Sequence, residues 1–142
     1  MFREYKTNCV ICQGSLSKGD DLLKGLTSVL KEKNVTCGLI SGIGAVTQAH
    51  IAYFNHEQKK YEELLLKEGL EILSLRGNIS LKEGNIFPHV HVVLSGRDFK
   101  AIGGHLLDDT LVYAFEYEIT HLEGSPFVRK LDEDTGLFIW QE

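Results

Sequence analysis

Residues 89–94 read His-Val-His-Val-Val-Leu, and this alternation leaves the segment few ways to fold. Successive side chains of an extended strand point to opposite faces, whereas a helix would scatter them around its axis. As a strand, the segment places His89, His91 and Val93 on one face. Val90, Val92 and Leu94 take the other, which reads as a core face. Pro88 suits the first residue of the strand, where a missing N–H costs little. Ser95-Gly96-Arg97-Asp98 supplies a turn. The chain then returns from Phe99 to Ile102 as a hairpin partner and reaches Gly103-Gly104-His105. The two glycines let backbone approach closely or take positive φ. A hairpin of this length can bring His105 back beside His89 and His91.

Three neutral imidazoles suit zinc, and also copper, iron or nickel. Three protein ligands leave a fourth position for water or substrate, the pattern of catalytic and not of closed structural zinc. The alternative for each histidine is plain packing or hydrogen bonding, because an isolated His-x-His is a weak signal.

The rest of the chain is mostly strand-like. Residues 5–12 read as a strand containing Cys9 and Cys12. Their C-x-x-C spacing lacks both the strand-to-helix context of a redox pair and the second pair of a zinc knuckle, so buried structural thiols are expected. Cys37 is expected to pack in an apolar strand. Ser17 to Asp21 opens a helix whose Leu22, Leu23, Leu26, Val29 and Leu30 form one apolar face, with Asn34 as its C-cap. Val35 to Ser41 reads as a buried strand. Gly42-Ile43-Gly44 lacks the third glycine and the helix of a dinucleotide fingerprint, and is expected to form a tight turn or bulge.

Residues 46–54 and 61–66 are expected to form a hairpin around a polar turn, with His50 on a strand face and His56 in the solvated loop. In Leu70 to Leu81, Ile72, Ser74 and Arg76 are expected on one face, Leu73 and Leu75 on the other, with a bulge at Gly77. In Leu111 to Thr120, Tyr113, Phe115, Tyr117 and Ile119 share a face, and Val112, Ala114, Glu116 and Glu118 the other. Glu116 is the candidate catalytic carboxylate, able to orient a ligand or act as general base beside a three-histidine metal. Leu137 to Trp140 reads as a terminal strand or a subunit contact.

Length places 1–142 in a single domain with enough chain to bury a core. No apolar run reaches the ~18 residues of a membrane span, and the N-terminus lacks the apolar core of a signal peptide. An odd number of cysteines argues for free thiols in a reducing compartment, so the cytoplasm is expected. The net charge of −5 disfavours DNA, whose binding draws on Lys and Arg neutralising phosphates. Lys59-Lys60 and Arg129-Lys130 are the only adjacent basic pairs, each flanked by acids.

Ser41-Gly42-Ile43-Gly44-Ala45-Val46, Pro88-His89-Val90-His91 and Gly103-Gly104-His105-Leu106, in this order, resemble the PPC domain, also called DUF296. The likeness runs from about Tyr5 to Thr120. It implies an α+β fold with a largely antiparallel sheet and a few packed helices, assembled as a homotrimer. It also implies a metal site on His89, His91 and His105, with Gly42, Gly44, Gly103 and Gly104 lining it. The family usually carries a glycine where this chain has Asp109. The functional expectation is a cytoplasmic protein with a divalent metal, zinc first. Its open position would bind or act on a small molecule with an anionic or oxygen donor. The family label supplies the alternative, a DNA-binding or transcription-associated module. A third reading is a scaffold in which the histidines rigidify the trimer.

Overall fold

The segment Asn85–Ser95 is a strand, as its alternation predicts, and its buried face is Val90, Val92 and Leu94. It belongs to a computed structural model that describes residues 9–141. The elements are β1 (Cys9–Leu16), α1 (Leu22–Glu32), β2 (Gly38–Asn55), β3 (Lys60–Leu66), β4 (Leu70–Lys82), β5 (Asn85–Ser95), β6 (Ala101–Leu106), β7 (Leu111–Leu122), β8 (Val128–Asp132) and β9 (Leu137–Gln141). The predicted strand at 5–12 lies partly outside the described residues; its described part opens β1, which continues to Leu16.

The strands form one nine-stranded sheet with the order β1-β7-β2-β6-β5-β4-β8-β9, and β3 beside β2. Every pairing is antiparallel except β4 with β8. The ladders β2–β6, β6–β5, β5–β4 and β4–β2 return to their starting strand, so the centre of the sheet closes on itself. β2 makes this possible. Its first half pairs with β4 and β7, and its second half with β3 and β6.

A few helices are expected, but α1 is the one α-helix among the described residues. The remaining segments carry two-residue alternation and turn residues, which the ladders use. Asp21 caps α1 by accepting from the Lys24 N–H at 2.9 Å. Lys33 is the C-cap, and Asn34 follows in the left-handed region at φ 51°. Leu22, Leu26 and Leu30 are fully buried and join one core with Ile40, Leu75, Leu94, Leu106, Phe115 and Ile119.

Two bulges overturn predicted faces. Between Ile72 and Ser74 the β4–β5 register slips by one, so Ile72 and Leu75 are both buried and Leu73 is exposed. The predicted bulge at Gly77 is therefore at Leu73. In β7 the register against β2 slips around Tyr113, so Val112 shares the buried side with Phe115 and Ile119, and Tyr113 faces out. Cys37 is buried as expected and Cys12 half-buried. Cys9 is exposed, because β1 is the edge of the sheet.

Candidate metal centre

β5 and β6 form the expected hairpin, with His91 directly opposite His105. His89 lies two residues back on the same face. The three ring centroids are 5.0, 5.1 and 5.3 Å apart. One nitrogen from each ring lies within 4.8 Å of the others, and Nε2 of His89 and His91 are 3.2 Å apart. Two nitrogens on a tetrahedral zinc at about 2.0–2.1 Å would be separated by roughly 3.4 Å. The cluster is therefore at ligand spacing for a small cation.

Glycine makes this packing possible. A Cβ on Gly103 would meet the Val92 carbonyl oxygen at 2.5 Å, and one on Gly104 the Ala52 carbonyl oxygen at 2.7 Å. A side chain at either position would push β6 away from β5 or β2, and His105 with it.

The electrostatics favour neutral rings. Burial holds the His89 pKa down to about 4, helped by the Arg129 guanidinium and the other two rings. Burial, His91 and Arg129 lower His105 to about 4. Burial also lowers His91. At neutral pH all three offer lone pairs and not charges. His105 Nδ1 is buried without a hydrogen-bond partner. Such an orphan costs free energy, and a cation shared by the rings would give the cluster's lone pairs an acceptor. The donor set fits a divalent metal.

The histidines open into a cavity of about 620 Å³, a volume ordinary for a small-molecule site. Phe54, Tyr61, Phe87 and Phe138 give it an aromatic wall, and the Tyr61 ring lies 5.2 Å from His105. Arg129 enters from β8. Parallel pairing sets it beside Lys82 at the end of β4. Only 7% exposed, its guanidinium donates to Ser80 Oγ, Asn78 Oδ1 and the Phe138 carbonyl oxygen. Nη2 also lies 3.2 Å from His89 Nδ1.

The sequence profile of the Plants and Prokaryotes Conserved (PCC) domain matches residues 3–125. The chain belongs to this family. Among solved structures, a metal-containing protein of Archaeoglobus fulgidus is 39% identical to this PCC chain. The match covers 99% of this chain and all of that one, with a TM-score of 0.92. A plant- and prokaryote-conserved protein of Pyrococcus horikoshii is 31% identical over 100% and 97% of the two chains, with a TM-score of 0.92. A proposed DNA-binding protein of Bacteroides thetaiotaomicron is 28% identical over 97% and 96%, with a TM-score of 0.86. No curated protein matches the chain.

Within the PCC fold the expected site residues separate. Gly103 and Gly104 line the histidine cavity. Gly42 and Glu116 line a different groove, with Gln13 and Arg76, and Gly44 lies beside Glu116 in a third. The cause is the length of β2. Gly42 and Gly44 sit on its β4–β7 half, whereas His105 pairs with Ala52 on the other half. Across the sheet, Gly42 pairs with Leu75 and Leu75 with Val92, so that half of β2 lies two strands from the histidine strand, with β4 between them. Glu116 pairs with Ile43 on the same half and is not among the residues that line the histidine cavity. Gly42-Ile43-Gly44 is a bulge in the β2–β4 ladder.

His56, read as a solvated loop residue, lies on the rim of the cavity. His50 instead contacts Asp108 and Glu63. Asp109 keeps φ 67° and donates its N–H to Asp21 Oδ2 at 2.7 Å. Aspartate tolerates the left-handed region better than most side chains.

Proposed function

We propose that this PCC protein holds one divalent metal ion, zinc by preference, on His89, His91 and His105, and binds a small molecule beside it. The convergence of three neutral imidazoles in the wall of an aromatic cavity carries this reading. The description of the A. fulgidus relative as metal-containing supports it. A bound ion supplies a Lewis-acid centre with an open coordination position. The chain's own contributions are to fix the rings on two paired strands, to exclude water with Phe54, Phe87 and Phe138, and to hold Arg129 at the cavity through Ser80, Asn78 and the Phe138 carbonyl.

We also propose a homotrimer in the cytoplasm. Leu39, Ile43, Leu73 and Tyr113 are each more than half exposed, and apolar surface of this kind suits a subunit contact. Cys9, Cys12 and Cys37 are free thiols, as a reducing compartment allows. Among the described residues no helix is long and apolar enough to cross a membrane. DNA binding, suggested by the B. thetaiotaomicron relative, is the weaker reading for a chain of net charge −5.

The test is elemental analysis and light scattering on untagged protein purified without added metal. About one divalent ion per chain and the mass of a trimer are expected. Metal-free protein that takes up no zinc, or duplex binding that survives chelation and weakens with salt, would overturn this order of readings.

A further inference from the structure

We infer that the small molecule taken by this site is a carboxylate with an apolar body, and that Arg129 selects its charge. The inference deepens the metal reading, on which one of its two anchors rests.

The first observation is the charge of the cavity. Arg129 and Lys82 line it, and among the described residues no aspartate or glutamate does. Among the described residues, every hydrogen bond of Arg129 goes to a neutral group: a serine hydroxyl, an asparagine amide, a backbone carbonyl and an imidazole. A nearly buried guanidinium with no counter-ion among the described residues is costly unless something anionic joins it. The whole chain is acidic, at −5, so the concentration of positive charge here is local. A divalent ion would add to it.

The second observation is the polarity of one contact. A histidine that ligates a metal ordinarily donates its outer N–H to a carbonyl or carboxylate. The outer nitrogen of His89 instead faces a donor, Nη2 of Arg129, at 3.2 Å. His89 Nε2 is the nitrogen turned toward His91. When Nε2 gives its lone pair to a metal, the neutral ring carries its proton on Nδ1, and N–H then faces N–H. That contact must open. It releases a guanidinium N–H and exposes an imidazole N–H, both next to the cavity. A carboxylate accepts from such a pair, and its second oxygen is free for the metal. Ser80, Asn78 and Phe138 keep the guanidinium head in place, so little ordering is lost on binding.

The third observation is the wall. Phe54, Phe87, Tyr61 and Phe138 make much of the lining apolar, which suits an apolar body and not a sugar phosphate.

Trp140 is the single tryptophan, and its ring lies 5.6 Å from the Arg129 guanidinium carbon. Its emission reports the site. The experiment titrates metal-free and zinc-loaded protein with benzoate and with benzamide, its neutral isostere, reading zinc content in parallel. Benzoate should bind at least tenfold more tightly than benzamide in both forms, and more tightly still with zinc. Arg129→Met should lower benzoate affinity at least tenfold, with partial recovery in Arg129→Lys. The ratio in the unsubstituted protein decides the matter even if Arg129→Met fails to fold. Equal affinities, or undiminished benzoate binding in a folded Arg129→Met, overturn the inference while zinc uptake stands. Benzoate preference without zinc uptake sustains the anion site and sinks the metal reading instead.

Discussion

The double substitution His89→Ala, His91→Ala is expected to weaken zinc binding by at least about a thousandfold, with the fold intact. Removing a group that merely orients a ligand costs about 10–100-fold, and here two of the three ligands go. What remains is His105, a single imidazole opposite an empty strand face. The fold survives because both side chains point away from the core, whose β5 contribution is Val90, Val92 and Leu94. Competition against a chromophoric chelator measures the affinity, and thermal melting of the metal-free protein checks the fold. Affinities within tenfold of each other would show that the ion sits elsewhere.

Gly44→Ala is expected to destabilise the protein by roughly 3 kcal/mol. Gly44 has φ 154°, which side chains rarely adopt. A Cβ there would also run into the Ala114 carbonyl oxygen and come within 2.8 Å of Phe115 Cα, both backbone atoms that cannot swing aside. Relief would require β2 to part from β7, where Val46 and Phe115 are buried. Urea unfolding should show a lower midpoint at unchanged slope. Because Gly44 does not line the histidine cavity, zinc affinity of the folded fraction should stay within about threefold of the parent, far from the loss expected of a ligand. A loss of zinc affinity without a loss of stability would place this glycine at the site after all.

These outcomes follow the division between what could be read from residue order and what could not. The histidine strand was legible because alternation at positions 89–94 is local, and the turn at 95–98 fixes the return of the chain to His105. The helix was legible for the same reason, through the spacing of Leu22, Leu26 and Leu30. Faces beyond a bulge were not. A one-residue slip at Leu73 or Tyr113 inverts every later assignment on the strand, and no residue type announces it. That Gly42, Gly44 and Glu116 fall outside the histidine cavity could not be read, because β2 changes partners halfway along, which is a property of the sheet and not of any segment. Arg129 carries no motif at all. It reaches His89 only because β8 adds to the end of β4 in parallel, and an arginine between acids reads as a solvated charge until that pairing is known.

X-ray absorption at the zinc edge of the zinc-loaded protein tests the three-histidine centre most directly. Three imidazole nitrogens at about 2.0–2.1 Å, with one further light atom, are expected. A spectrum dominated by sulfur at about 2.3 Å, or one lacking the outer-shell scattering of imidazole rings, would contradict it.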